Sequence, residues 1–469
     1  MNLSKGLKMH RIRVKALFDG AEQGQPVKVA GWVKSKRVSK KFAFLVINDG
    51  SCQTDLQVIV DSDKECFAKL ESIGTGSSVS MFGELRKSPG KGQAWELHAS
   101  DLEVLGESSS DYPLQKKGHS LEFLREIGHL RGRTNTFGAV YRVRNRLSFL
   151  VHQFFQGRGF LWAHTPILTA SDCEGAGELF KVTTLDLANP PRNDEGGVDF
   201  SNDFFGKPTH LTVSGQLNAE SMALSLGDVY TFGPTFRAEN SNTTRHLSEF
   251  WMIEPEMAFA NLRDDMLLAE EFLRYLFANI VNDCGDELEF LGKMYPDCDP
   301  QGIENMGSKN FARVSYTDAI KELSAVSSKF EFEPAWGVDL QTEHEKYLTE
   351  QVFSGPVIVT DYPKDIKAFY MKSNPDGKTV AAMDVLVPRI GEIIGGSQRE
   401  DCYDALLDRV NGLDLPVEDL RWYLDLRSYG GCPHAGFGLG FERLVQYVTG
   451  MVNIRDVIPF PRAPKVIPF

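Results

Sequence analysis

The chain has 469 residues, of which 25% are charged and 42% hydrophobic, and a formal net charge of −13. That length with an ordinary globular composition implies more than one domain, and the acidic balance argues against a broadly basic nucleic-acid coat. No apolar run approaches a membrane span, no signal peptide is legible, and seven scattered cysteines form no Cys-x-x-Cys pair, so a cytoplasmic protein with reduced thiols, no zinc and no membrane partner is expected.

The first hundred residues read as all-β. Val27, Val29, Gly31 and Val33 alternate with polar or small neighbours, as a strand with one buried face requires. Residues 42–47 form a short apolar strand that ends in the turn Asn48-Asp49-Gly50. Further strands are expected at 56–60 and 78–85, then the turn Ser88-Pro89-Gly90-Lys91-Gly92, then strands at 95–98 and 102–105. Lys34, Lys36, Arg37, Lys40 and Lys41 put five positive charges into eight residues, in what reads as a hairpin loop between the first two strands. Alone, such a loop is a solvated turn. Beside these strands and Phe42 or Phe44 it suits a small oligonucleotide-binding barrel, in which bases stack on an aromatic ring along a cationic groove. A strand phenylalanine serves equally well as core.

Residues 106–113 are polar, and 119–133 make a charged, helix-capable connection. Val140, Val143, Leu147, Leu150, Val151 and Phe154 then recur at helical spacing, with Arg142, Arg144 and Arg146 on other faces. Gly157-Arg158-Gly159 stops this helix, and Phe160-Leu161-Trp162 leads into Thr165-Pro166. Residues 185–207, containing Asn189-Pro190-Pro191-Arg192-Asn193 and Asn202-Asp203, are a polar, turn-rich excursion. Residues 285–310 are acidic and irregular, with no legible chemistry.

Phe236-Arg237-Ala238-Glu239 runs on to Arg245-His246-Leu247 and Phe250, and Gly438-Leu439-Gly440-Phe441-Glu442-Arg443 is a glycine-rich approach to another arginine. Guanidinium forks match phosphate oxygens two at a time, and glycines admit a ligand close to the backbone. Either segment alone suits a surface ion-pair network; the two together make a triphosphate site the better reading. Residues 356–360 and 380–387 read as strands, with Asp384 midway along the second. Glu392 precedes Ile393-Ile394-Gly395-Gly396, and Arg399 lies seven residues beyond it. In regular strand geometry Glu392 and Ile394 share a face. Carboxylates among strands suit magnesium, which prefers a few carboxylates plus substrate phosphates; a structural salt bridge between Glu392 and Arg399 is the alternative.

With these segments in place, the chain resembles, over essentially its whole length, the class II aminoacyl-tRNA synthetases of the aspartate, asparagine and lysine subgroup. Within the subgroup it is most similar to the bacterial-type enzymes for asparagine. The resemblance implies an α+β protein. An N-terminal five-stranded OB-type β-barrel over 1–106 would bind the anticodon, and 107–133 would be a linker. Residues 134–469 would form a class II catalytic domain, an antiparallel sheet flanked by helices, with an insertion around 185–207. Residues 139–155 with Pro166 resemble the first family signature, a dimer element, so a homodimer is expected. Residues 236–256 resemble the second signature and 436–443 the third.

Site roles follow from the same resemblance. Arg237 would hold the α-phosphate of ATP and the amino-acid carboxylate. Glu239 would orient the adenine side or the terminal tRNA nucleotide, and Arg245 and His246 would contact the outer phosphates. Phe250 and Arg443 would sandwich adenine, with Gly440 beneath it, and Asp384 and Glu392 would hold Mg2+. In Ser214-Gly215-Gln216-Leu217-Asn218-Ala219-Glu220, Gln216 would face the α-amino group. The enzymes for aspartate carry a lysine where Ala219 stands. Arg399, beside Gly395, would read the side-chain oxygen, and Glu254, with Glu220 as the lesser choice, would accept from the amide NH2. The stretch Arg237-Ala238-Glu239-Asn240-Ser241-Asn242 also resembles the asparagine enzymes. In the barrel, Phe44 would stack on an anticodon base, Gln57 would read a base edge, and Lys34, Lys36 and Arg37 would meet tRNA phosphates. The implied activity is ligation of L-asparagine to tRNA(Asn) with ATP. An aspartate enzyme accepting both tRNAs, a tRNA-independent asparagine synthetase on the same core, and a non-catalytic binding module are the other readings.

Overall fold

The computed structural model describes residues 10–90, 93–170, 179–241 and 243–467. Lys91 and Gly92 of the predicted turn, and Asn242 of the arginine segment, lie outside the described residues. The chain divides into two compact units, Met1–Ala139 and Val140–Phe469.

In the first unit five strands close a barrel in the order β1-β2-β3-β5-β4. They are β1 Pro26–Val38, β2 Phe42–Asn48, β3 Leu56–Asp61, β4 Ser78–Lys87 and β5 Trp95–Gly106. The period-two pattern turns Val27, Val29, Val33, Leu45, Ile47, Leu56, Val58, Val60 and Leu97 into the barrel, where all are buried. Two expectations change. The strands predicted at 95–98 and 102–105 are one strand, bent where Phe82 pairs with Asp101 but Gly83 pairs with Ala99. A Cβ at Gly83 would lie 2.1 Å from the His98 carbonyl oxygen, so only glycine lets β5 bulge here. The basic cluster is also only partly a loop, since Lys34, Lys36 and Arg37 lie on β1 and only Lys40 and Lys41 in the turn. Pairing of β1 with β2 continues past an irregularity at Lys34 through Arg37↔Phe44 to Val38↔Ala43, leaving residues 39–41 as the turn. Long cationic side chains sit comfortably on a solvated strand face, because their stems cover it while the charges stay in water.

The second unit is built on an eight-stranded sheet in the order β12-β13-β14-β15-β16-β11-β10-β6. Its members are β6 Leu161–Trp162, β10 Val229–Phe236, β11 Glu249–Ala258, β12 Ala312–Ser315, β13 Val357–Pro363, β14 Thr379–Val387, β15 Gly391–Gln398 and β16 His434–Gly440. A small second sheet joins β7 Leu168–Thr169, β9 Thr209–Leu211 and β8 Lys181–Val182 in the order β7-β9-β8. The large sheet is antiparallel through its middle, as expected, with a parallel pair at each edge, β12 with β13 and β10 with β6. Helix Leu262–Asp283 buries Leu268, Phe272, Leu273, Leu276 and Ile280, and Phe272 meets Phe437 of β16 and Phe154 and Phe155 of helix Asn135–Gly157. The three arginines predicted on other faces of that helix all make ion pairs: Arg142 with Glu287 at 2.7 Å, Arg144 with Glu442 at 2.7 Å and Arg146 with Asp283 at 2.6 Å. Among the described residues, no helix is long and apolar enough to cross a membrane.

One detail of the sheet decides the site. Val385 pairs with Ile394 but Leu386 pairs with Glu392, so Ile393 is an extra residue in β15. This bulge reverses the expected parity. Glu392 shares a face with Gly395 instead of Ile394: a Cβ at Gly395 would lie 3.1 Å from Glu392 Oε1 and 3.5 Å from Asp384 Oδ1. Ile394 is fully buried, paired with Leu439 and Val385.

Candidate functional site

The middle strands of the sheet carry a cleft lined by Arg237, Glu239, Arg245, His246, Phe250, Glu392, Gly438, Gly440 and Arg443. Every nucleotide residue read from the two arginine segments is therefore at one place. β10 ends at Phe236 and delivers Arg237, whose guanidinium lies 5.6 Å from the Phe250 ring centroid. Phe250 comes from β11, directly across from Thr235. Arg443 stands in the first turn of helix Phe441–Thr449 and donates to the Glu392 carbonyl at 3.2 Å and to its Oε2 at 3.3 Å. The rejected alternative is clear: Glu392 pairs with Arg443, and Arg399 pairs elsewhere. Arg245 donates to Thr342 Oγ1 at 2.6 Å and to the Ile390 carbonyl, which pins it at the end of the cleft. His246 Nδ1 lies 2.6 Å from Thr243 Oγ1 and 3.1 Å from Ser241 Oγ. Burial, and then Arg443, hold its imidazole below its ordinary pKa.

The acidic side of the cleft holds two groups that the sequence did not reveal. Lys367 Nζ lies 2.7 Å from Asp384 Oδ2, and Glu345 Oε2 accepts from the Glu392 backbone N–H at 3.2 Å. Burial, and then the neighbouring Glu392, push the Glu345 carboxyl up to about 7. Burial likewise pushes Asp384 up against the pull of Lys367. Burial also opposes ionisation of Glu392, but Arg443, Lys367 and Arg237 outweigh it and keep that carboxyl below its usual range. Glu392 and Asp384 converge on the space left by the missing Cβ of Gly395, a donor set of hard oxygens that fits a magnesium ion.

A buried polar cluster surrounds Arg399. Arg399, 2% exposed, makes a fork on Glu256, donating from Nε at 3.0 Å and from the NH2 group at 2.8 Å. Ser397 Oγ accepts a further bond from Arg399 at 2.8 Å. The carboxylate beside Arg399 is thus Glu256, one step of the same strand face beyond the expected Glu254. Glu254 instead organises the Ser214-Gly215-Gln216 loop, accepting from the Ser214 hydroxyl, from Gly215 N–H at 3.1 Å and from Thr231 Oγ1 at 2.7 Å. Glu220 is fully buried, with Oε1 3.9 Å from Arg399 Nε. Glu220, Glu256 and His434 offer donor atoms within 4.8 Å of one another, a grouping that could hold a metal. Arg399 and Arg427 already occupy these oxygens at 2.8 and 2.9 Å, so the cluster is an ion-pair network.

On the barrel, Phe44 and Phe42 meet edge to face with centroids 4.9 Å apart on the outer surface of β2. Arg37 lies directly across from Phe44 on β1, and Gln57 of β3 lies across from Val46, one outward position along β2. Gln57 donates to Glu96 at 3.3 Å, and Lys36 reaches the Leu70 carbonyl at 2.7 Å. Lys34 donates to Asn135. The outer barrel face therefore brings together Arg37, Phe44 and Gln57, while Lys34 and Lys36 are partly engaged by their own unit.

Residues 120–464 match the model of the family described as "tRNA synthetases class II (D, K and N)", and residues 27–105 match that of the "OB-fold nucleic acid binding domain". The chain is 58% identical to the asparagine–tRNA ligase of Synechocystis sp. over 97% of its own length and 99% of that protein's. It is 56% identical to the asparagine–tRNA ligase of Geotalea uraniireducens, covering 97% and 98%. Among solved structures, asparaginyl-tRNA synthetase from Pyrococcus horikoshii complexed with asparaginyl-adenylate is similar with a TM-score of 0.85 and 34% identity, covering 98% of this chain and 99% of that one.

Proposed function

Because the chain belongs to the class II tRNA synthetases of the D, K and N group, we propose that it ligates asparagine to tRNA. The observation that carries the substrate is the buried Arg399–Glu256 fork. A side-chain amide offers an acceptor oxygen to the guanidinium and donor hydrogens to the carboxylate, whereas a substrate carboxylate would meet Glu256 as a like charge. Mismatched buried polar groups discriminate by roughly 10⁴-fold or more.

The chemistry needs no covalent nucleophile from the protein. The asparagine carboxylate attacks the α-phosphorus of ATP, the bond to pyrophosphate breaks, and asparaginyl-adenylate forms. The terminal tRNA hydroxyl then attacks the adenylate carbonyl, and AMP leaves. Arg237 stabilises charge at the α-phosphate, Arg245 and His246 hold the outer phosphates, and Phe250 and Arg443 clasp adenine, with catalysis arising from positioning and electrostatics. Glu239 orients the adenine side, and Gly440 admits the base to the backbone. Asp384 and Glu392 would hold Mg2+, which supplies charge neutralisation at the phosphates. The barrel is the anticodon-binding domain and residues 134–469 the catalytic one, in a cytoplasmic enzyme. Purified protein should exchange pyrophosphate into ATP with asparagine and not with aspartate or lysine; exchange with aspartate alone would overturn the assignment.

Two further expectations follow. Phe44→Ala should slow tRNA charging roughly tenfold, since one base stack is worth about 1–3 kcal/mol, while leaving asparagine-dependent exchange intact. Equal losses in both assays would remove Phe44 from the anticodon interface. The protein is also proposed to be a homodimer, because Phe149, Leu161, Trp162, Ile167 and Leu168 are exposed along helix Asn135–Gly157 and the strands that follow it. Light scattering should give twice the chain mass of 52.4 kDa, and a monomer at micromolar concentration would contradict it.

A further inference from the structure

Glu220 lies one helical turn from Gln216 on helix Gln216–Leu226 and is fully buried. Its two oxygens face different groups. Oε2 accepts from Arg427 at 2.9 Å and from the Tyr423 hydroxyl at 2.7 Å, and lies 2.9 Å from His434 Nε2. Oε1 accepts from Gln216 Nε2 at 3.1 Å, with Arg399 Nε at 3.9 Å. Burial alone would raise this carboxyl, but Arg427 and His434 outweigh it and hold the group well below the usual carboxylate range. An ionised carboxylate only accepts hydrogen bonds. The end of the Gln216 amide that faces Glu220 must therefore be its NH2, and its carbonyl oxygen is the end turned away from that carboxylate.

We infer that Glu220 is a positioning residue that fixes the orientation of the Gln216 amide, so that its oxygen faces the α-ammonium group of the amino acid. A free glutamine side chain presents either end at little cost, and a flipped amide would aim two N–H donors at an ammonium group that can only donate. Arg427, Tyr423 and His434 hold Glu220 in place from behind, so the same carboxylate connects the reader of the α-amino group to Arg399, the reader of the side chain. The inference rests on the reading of this site as an asparagine-activating one, in which the family resemblance gives Gln216 the α-ammonium group.

The test is steady-state pyrophosphate exchange with Glu220→Gln and with the reciprocal double variant Gln216→Glu/Glu220→Gln. An amide at position 220 both donates and accepts, so the orientation of Gln216 becomes degenerate. KM for asparagine should rise roughly tenfold or more, with kcat and KM for ATP within about threefold of wild type. In the double variant the new amide donates forward to a carboxylate at 216, which again presents oxygen to the ammonium, and much of the KM loss should be recovered. A double variant no better than the single one, or a single variant that loses kcat and ATP affinity alike, would overturn the inference. Since Glu220→Gln leaves the Arg427 cation without its carboxylate, it is accompanied by Tyr423→Phe, which removes one donor and no charge. Tyr423→Phe should raise KM for asparagine several-fold at unchanged kcat, and an unaltered KM would count against the positioning role. Wild-type protein inactive with asparagine would overturn the functional reading and this inference with it, whereas an active wild type with insensitive variants overturns the inference alone.

Discussion

Arg443→Ala should abolish adenylate formation, lowering asparagine-dependent exchange by roughly 10³-fold or more, while the protein stays folded. Arg443 offers a flat cation to the adenine face, worth about 0.5–2 kcal/mol, and it is also the charge that keeps Glu392 ionised for the magnesium site, so its removal costs both contacts at once. Its side chain is 31% exposed at the wall of the cleft, and Glu392, its one ionic partner among the described residues, is 39% exposed. A pair of that exposure contributes about 0–1 kcal/mol to stability, so the melting temperature should barely move. Without Arg443 the largest influence holding the Glu392 carboxyl down is gone, so the variant should also need more magnesium at lower pH. Arg443→Lys keeps the charge but loses the planar fork and should fall between the two. Near-normal exchange in the alanine variant would exclude Arg443 from the reaction.

Arg399→Ala should produce a different pattern. Asparagine activation should fall by roughly 10³-fold through KM, because a site built around a buried hydrogen-bonding partner rejects a ligand once that partner is missing. Stability should fall with it, by about 3–5 kcal/mol, because Glu256 is left buried and unpaired. Glu256 is 1% exposed and receives three of its hydrogen bonds from Arg399. Thermal unfolding and asparagine titration, measured on the same preparation, separate the two effects. Unchanged asparagine affinity would mean that the side chain is read elsewhere. Arg443 and Arg399 thus divide the site: one removal costs rate at constant stability, and the other costs affinity and stability together.

Several elements were legible before the structure because their signals are local. The alternation from Val27 to Val33 and in residues 42–47 places the barrel strands, since a period of two admits only one buried face. The helix through Val140 and Phe154 follows from its 3.6-residue spacing. Arg237, Arg245, His246, Phe250 and Arg443, read from two short segments as one site, do line a single cleft. The misreadings have physical causes too. Lys34, Lys36 and Arg37 looked like a loop because charge density is only a correlate of turns, and a solvated strand face accepts the same side chains. Glu254, with Glu220 as the lesser choice, is the side-chain acceptor the sequence suggests, and Glu256 went unnoticed because nothing in the sequence says which carboxylate meets Arg399.

The family was determined by the sequence alone, because the residues proposed to bind phosphate and adenine are grouped within two short segments. Tertiary structure alone decided which carboxylate serves which cation. The extra residue at Ile393 turns Glu392 toward Asp384, and strand pairing puts Glu256 under Arg399. Helix Val417–Ser428 and β16 bring Arg427, Tyr423 and His434 around Glu220, more than two hundred residues away along the chain. A buried charge is stable only with partners at hydrogen-bond distance, and those distances are set by strand register and helix packing, which no local run of residues encodes.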